Sequence, residues 1–420
     1  MLRIIRSTDK AALTRLMRAR ATSLAEAERI AARILADVRR NGDRALVSYA
    51  KKFDRLDLDK IGFEVSQEEI QAAYEQVPRG FVAALRLAAR NIRAVAKRQL
   101  PRAWSASTTA GVKVSQIVRP LERVACYVPG GRFPLPSTVL MSVIPAQVAG
   151  IEEIVITSPR PAPAVLVAAD FLGVKRIFRL GGAQAIAAFA YGTRSVPRAD
   201  KIVGPGNRFV AAAKKLVAGE CGIDLVAGPS ELVVVGSRGN PRWIAADLVA
   251  QAEHDPDAVA IFITASRRLA ERVQQAAETI VRELDLPVAR ASLAAQGAII
   301  QTTTTEEAIA LANRLAPEHL TLLDDVGRLL DRVTSAGSIF LGEYSPVAAG
   351  DYASGTNHIL PTGGVARLRG GLSAADFVKV ITTQRLGRPG LARLRPAIVT
   401  LANTEGLKAH AHSVNTRFRL

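Results

Sequence analysis

The chain has 420 residues, a formal net charge of +18, 49% apolar and 22% charged residues, and two cysteines. This length suggests about two or three domains, and the apolar share excludes a disordered chain. Two cysteines exclude a disulfide framework, no apolar run reaches the ~18 residues of a membrane span, and MLRIIRSTDK lacks a signal-peptide core, so a cytoplasmic protein with no membrane partner is expected.

The first hundred residues read as helices. Ser23 with Glu26, and Ser66 with Glu69, fit capping boxes. Asn41-Gly42 and Pro78-Arg79-Gly80 punctuate the pattern. In VAALRLAARNIRAVAKRQ the basic residues Arg86, Arg90, Arg93 and Lys97 recur at three-and-four spacing, which is one helix face. The densest basic region lies around Arg367, Arg369, Arg385, Arg388, Arg393 and Arg395. Aromatics are 5% of the chain, so stacking platforms for single strands are poor. A solvated Arg-rich surface is expected, with no nucleic-acid partner.

From about Val112 short β-branched runs alternate with helical stretches. VACYV, EIVIT and RIFRL read as strands, with TVLMSVIPAQVAG and AVLVAADFLG between them. A second series follows, with strands at LVVVG, AIFITAS, GAIIQTT, LTLLD and SIFLG. Strands alternating with helices predict parallel, doubly wound sheets. Two series predict two α/β domains, with a junction near Gly228 to Glu231. The last fifty residues read as helical with a short tail. The usual dinucleotide fingerprint is missing: GPGN at Gly204–Asn207 continues to Phe209 where the third Gly belongs.

All five histidines lie late in the chain, at 254, 319, 358, 410 and 412. Gln251 and His254 are three apart on a helix expected from Pro241, hence on one face. An amide oxygen and an imidazole aimed at one point can share a metal; a helix C-terminus that favours both residue types is the plain structural alternative. Glu318-His319 stands at a helix-to-strand corner, offering two proton-transfer groups of different pKa or a solvated corner. Gly350 to His358 reads as a polar loop, with Asp351 an available oxygen ligand. Cys126 falls in an apolar strand and reads as a small buried hydrophobe.

At these residues the chain resembles the histidinol dehydrogenase family. The matching segments are CYVPGG, STVLM, GGAQAIAAFAYGT, DKIVGPGN, GIDLVAGPSE, LVAQAEHDPDA, APEHL, GDYASGTNHILPTGG and EGLKAHAHSV. They follow the family's order and spacing over about residues 20–420. The resemblance implies oxidation of L-histidinol to L-histidine through L-histidinal, the last steps of histidine biosynthesis, with two NAD and one zinc per site. It implies Gln251, His254, Asp351 and His410 as zinc ligands and Glu318 with His319 as the acid–base pair. Ser230, Glu405 and His358 become substrate contacts, beside the zinc ligands and His319. Tyr127, Gln184 and Asn207 become NAD contacts.

The implied fold is α/β, with two incomplete Rossmann-like doubly wound domains and small helical N- and C-terminal domains. The expected division is an arm at 1–20, a first Rossmann-like domain from 21–125 plus 231–370, a second at 126–230, and a C-terminal helical domain at 371–420. The family's intertwined homodimer implies that Glu405 and His410 act in the partner's site. One departure is Arg132-Phe133 after YVPGG, where many members have small residues; it bears on the cofactor fit and leaves a paralogue acting on another hydroxy compound as the alternative.

Overall fold

A computed structural model describes residues 2–20, 24–130, 133–323 and 326–419. In chain order its strands are β1 (Arg3–Arg6), β2 (Trp104–Thr109), β3 (Val112–Pro120), β4 (Arg123–Tyr127), β5 (Glu153–Thr157), β6 (Arg176–Phe178) and β7 (Lys201–Val203). There follow β8 (Gly222–Ile223), β9 (Glu231–Val235), β10 (Val259–Thr264), β11 (Ala298–Gln301), β12 (His319–Leu322), β13 (Ser338–Leu341) and β14 (Val378–Leu386). They form a five-stranded parallel sheet, β6-β5-β4-β7-β8, a six-stranded parallel sheet, β1-β11-β10-β9-β12-β13, and a three-stranded antiparallel sheet, β14-β3-β2.

The two α/β series are therefore as expected. ELVVV and VAIFIT are buried along their whole length, as strands covered by helices on both faces must be. Both sheets have a switch point where the strand order reverses, between β4 and β7 in one and between β9 and β12 in the other. In such sheets the crevice outside the strand C-termini at that point takes ligands.

The helix Phe81–Gln99 buries Leu85, Ala88, Ala89, Ile92 and Ala96, and its basic face looks outward. Ser66 and Glu69 form the expected capping box, with Glu69 N–H donating to Ser66 Oγ at 3.3 Å and Ser66 N–H to the Glu69 carboxylate at 3.0 Å. Ser23, the cap expected for the preceding box, lies outside the described residues. Cys126 is fully buried in β4, and burial pushes its thiol up to about 12. Among the described residues no helix is long and apolar enough to cross a membrane.

Four expectations change. The N-terminal arm contains β1, which pairs in parallel with β11, and Leu13 of the following helix enters the core around Ile300 and Ile309. The helical lead-in packs on the five-stranded sheet, not the six-stranded one. Ile34, Leu35 and Leu46 share a core with Val155 and Phe189; Ile70, Leu85 and Ile92 share one with Val124 and Ile156. The division at residue 125 also cuts through β4. The C-terminal fifty residues are not all helical, because β14 runs nine residues against β3 before the helices Arg388–Thr404 and Lys408–Thr416.

Candidate active site

The acid–base corner is built at the N-terminal ends of β9 and β12, where His319 lies opposite Leu232. The helix Thr305–Leu315 stops at Ala316, whose φ of 45° turns the chain left-handed, and Pro317 prevents a further helical turn. The chain then enters β12 with Glu318 and His319 both buried, 5% and 4% exposed. Gly337 packs so close that a Cβ there would lie 2.6 Å from the Glu318 carbonyl oxygen.

Glu231, the first residue of β9, orients both side chains. Its N–H donates to Glu318 Oε2 at 2.8 Å, and its carbonyl accepts from His319 Nδ1 at 3.1 Å. A carbonyl can only accept, so Nδ1 carries the proton and Nε2 holds the lone pair of the neutral ring. Nε2 is buried, has no hydrogen-bond partner among the described residues, and lies 3.6 Å from Asp351 Oδ1. His319 Nδ1 is 3.7 Å from Glu318 Oε2. Burial pushes the Glu318 carboxyl up to about 7, against the pull of His319. Burial would lower the His319 imidazole, but Glu318 and then Asp351 outweigh it and lift it to about 9.

Asp351 sits on the helix Val347–Tyr352, so the segment expected as a polar loop begins helically. Burial pushes its carboxyl up; the His319 side chain outweighs that and leaves it below the usual value, with help from His358 and His254. His358 Nδ1 donates to the Asp351 carbonyl at 3.0 Å, and its Nε2 is 3.3 Å from Thr138 Oγ1. Asn357 Nδ2 donates to the Met141 carbonyl at 2.7 Å. Both ring nitrogens of His358 are thus engaged within the chain. They brace the Asp351 segment against the helix Pro136–Ala149.

The expected metal donors are less closed. The helix Pro241–Ala252 ends before His254, so Gln251 and His254 do not share a helical face; Gln251 is buried in the last turn and His254 is exposed just beyond it. Gln251 Nε2 has no hydrogen-bond partner among the described residues. Ser230 is half-buried, and its carbonyl accepts from Val259 N–H at 2.9 Å. Glu405, in the turn between the two C-terminal helices, and His410, on the second of them, are exposed; the helices pack on each other, and the first also packs on β14. Among the described residues no three His, Cys, Asp or Glu side chains close around one point.

The expected cofactor residues collect at the C-terminal edge of the five-stranded sheet, around its switch point. Tyr127 ends β4, and its hydroxyl accepts from Gly182 N–H at 3.1 Å; burial pushes it up to about 12. Gln184 is buried on the helix Gly182–Tyr191. Asn207 caps the helix Arg208–Val217, its Oδ1 accepting from Phe209 and Val210 N–H at 3.0 and 3.1 Å. That helix N-terminus offers a partial positive charge to an anion. Asp54, not expected from the sequence, joins this edge from a π-helical turn, Ala50–Asp54. Its carboxylate accepts from Gln184 Nε2 at 3.3 Å, and burial raises it. A single Asp at the end of a helical segment carries no local signal. Arg132 lies outside the described residues; Phe133 is exposed.

The basic C-terminal region is partly consumed inside the chain. Arg367 donates to the Arg314 carbonyl, Arg369 pairs with Asp376 at 2.9 Å, and Arg395 donates to Asn415 at 2.8 Å.

A family model described as histidinol dehydrogenase matches residues 17–418. A histidinol dehydrogenase from Syntrophotalea carbinolica is 50% identical, covering 93% of each chain. One from Geobacter sulfurreducens is 47% identical over 94% of each. The crystal structure of histidinol dehydrogenase from Elizabethkingia anophelis superposes with a TM-score of 0.94 at 38% identity, covering 99% of this chain and 98% of that one.

Proposed function

The chain belongs to the histidinol dehydrogenase family, enzymes that oxidise L-histidinol to L-histidine at the end of histidine biosynthesis, and from that premise we propose how its residues divide the work. One observation carries the reading. His319 is locked through Nδ1 to a backbone carbonyl, with the Glu318 carboxylate on that side, while its Nε2, buried and without a hydrogen-bond partner among the described residues, lies 3.6 Å from the Asp351 carboxylate.

His319 Nε2 takes the hydroxyl proton of the alcohol as the carbinol hydride passes to the nicotinamide of NAD. The products of that half-reaction are the aldehyde and NADH. Glu318 then takes the proton of a water that adds to the aldehyde carbon while His319 returns its proton to the carbonyl oxygen, forming the hydrate and freeing His319 to take a hydroxyl proton in the second oxidation. A second hydride goes to a second NAD, leaving the carboxylic acid and a second NADH. A carboxyl lifted to about 7 is matched to base work near neutrality. Tyr127, Gln184 and Asn207 hold NAD in turn; the Asn207 Oδ1 is spent on the helix cap, which leaves its Nδ2 as the donor for the cofactor.

Gln251, His254 and Asp351, with His410 of a second copy, are the residues that would hold zinc. An amide oxygen, two imidazoles and a carboxylate are a donor set zinc accepts, with Gln251 Oε1 as the amide ligand. Zinc there would orient the amine and imidazole of the amino alcohol and, by occupying the Asp351 carboxylate, weaken that residue's hold on the His319 proton. Ser230 and Glu405 complete the contacts to the substrate.

The protein acts as a homodimer in which Glu405 and His410 enter the partner's site. Their exposure supports this, as does β14, whose Val380 and Ile381 are 49% and 42% exposed on an open sheet. Its compartment is the cytoplasm, a reading that the two buried, unpaired cysteines support.

The test is NADH formation with L-histidinol, with product stoichiometry, before and after chelation. Two NADH per histidine, lost with chelator and restored by zinc, is the expected result. Turnover that ignores the chelator overturns the metal assignment; one NADH per aldehyde released overturns the two-step role of Glu318.

A further inference from the structure

At the switch point of the five-stranded sheet a buried ion pair is spent on a single residue. Lys214 and Asp224 are 1% and 2% exposed and paired with each other. Lys214 Nζ donates to the Gly204 carbonyl at 3.0 Å, and Gly204 N–H donates to Asp224 Oδ2 at 2.7 Å. Asp224 Oδ1 accepts from Leu225 N–H at 2.6 Å. Both polar groups of Gly204 are therefore gripped by opposite charges.

Gly204 opens the GPGN loop. Its φ is 114°, and a Cβ there would overlap the Tyr127 carbonyl oxygen, so the loop lies directly on the end of β4. Three residues on, Asn207 starts the helix Arg208–Val217, and Lys214 is carried by that same helix. The loop between Gly204 and the helix is thus tied at both ends, by the clamp on one side and the Asn207 cap on the other. A buried ion pair is a weak source of stability, because desolvation offsets most of its attraction. What this one does supply is a fixed peptide orientation beside Tyr127 and Asn207.

We infer that Lys214 and Asp224 are positioning residues for the cofactor, holding the Gly204 peptide so that Asn207 and the helix N-terminus face the dinucleotide. The inference rests on the proposed cofactor role of Tyr127 and Asn207. It replaces the missing glycine-rich loop with a charge clamp: a standard loop uses small residues to let backbone approach a pyrophosphate, whereas here buried charges set the backbone direction.

The experiment compares Lys214→Met/Asp224→Asn, which removes both charges while keeping shape and an acceptor for Gly204 N–H, with Lys214→Arg and Asn207→Ala. The readouts are KM for NAD, KM for L-histidinol, kcat, and NAD affinity by calorimetry, on protein shown to be folded by circular dichroism. The expected result for the double variant is a rise of about tenfold or more in KM and Kd for NAD, with KM for L-histidinol unchanged, as the loss of a hydrogen bond from a charged group predicts. Lys214→Arg, which keeps the charge, is expected to recover most of the affinity; should the double variant not fold, this substitution carries the test through its KM for NAD against Lys214→Met. Wild-type NAD affinity in a folded charge-free variant overturns the inference, and so does an equal rise in both KM values, which marks a purely structural pair. If Asn207→Ala also binds NAD normally, the cofactor assignment falls with it; if only the clamp variants do, the assignment stands and the clamp falls.

Discussion

The N-terminal edges of the two parallel sheets occupy the same place in the same kind of fold, and they carry opposite chemistry. At the five-stranded sheet, Arg123, Glu153 and Arg176 begin β4, β5 and β6. Arg123 pairs with Glu153 at 2.5 Å, and Arg176 pairs with Glu153 at 3.3 Å and with Glu64 at 2.7 Å. Each side chain is about a third exposed, so water shares the charges. At the six-stranded sheet, Glu318 and His319 are buried, pair with no Arg or Lys among the described residues, and are held by the backbone of Glu231. Hydrated and neutralised carboxylates stay ordinary ions. Glu318, whose burial outweighs the pull of His319, keeps a proton near neutrality, which is what proton transfer needs.

The comparison breaks first at His319. Replacing it by Ala removes the proposed base, and a fall in kcat of about 10²- to 10⁴-fold is expected, measured as NADH formation by protein with an unchanged circular dichroism spectrum. A loss under about tenfold would make the corner structural, like its counterpart.

Glu318→Gln sharpens the division of labour between the two residues. It keeps the acceptor for Glu231 N–H and removes the carboxylate. The second half-reaction is expected to slow by about 10²-fold. A single-turnover experiment should then show the first NADH without matching histidine. Equal slowing of both halves would assign Glu318 to orientation alone.

A smaller effect tests whether one chain holds a whole site. Inactive His319→Ala and His410→Ala chains, mixed and allowed to exchange, are expected to recover about a quarter of wild-type activity, since half of the dimers are mixed and each has one intact site. No recovery under verified exchange would put His410 in its own subunit's site.

The smallest effect lies at the ion-paired edge. The hydrogen bond from Arg123 holds the Glu153 carboxyl below its usual value against partial burial, and Arg176 adds to this. A depressed carboxyl stabilises the fold above its unfolded pKa, about 4.3, and that contribution is lost as pH falls through the lower folded value. Glu153→Gln should therefore flatten the acid limb of the stability profile by less than about 1 kcal/mol, given the exposure. Urea unfolding between about pH 6 and 3 checks it. An unchanged acid limb would show that water screens the pair completely.

Much of this was legible in the chain itself. ELVVV, VAIFIT and EIVIT are apolar runs too short and too β-branched for helices, and they are buried strands. The three-and-four spacing of Leu85, Ala88, Ala89, Ile92 and Ala96 set the buried face of its helix. Ser66 and Glu69 marked a helix start, and the Ala-Pro-Glu-His corner stood where helix gives way to strand. These features rest on residues within one or two turns of each other, so local periodicity and capping suffice to read them.

Other features needed the tertiary structure. β1 becomes a strand by pairing with residues almost 300 positions later, and β14 by lying on β3 from far along the chain. Neither has enough buried face to show an alternating pattern. The helix before His254 stops two residues short of it, and Asp54 reaches Gln184 across 130 positions. Most of all, the sequence places Glu318 beside His319 but says nothing of Glu231, whose peptide group sets the tautomer of one and the orientation of the other. A backbone N–H and C=O exist at nearly every residue, so only the folded arrangement of β9 against β12 decides which of them meet the proposed acid–base pair.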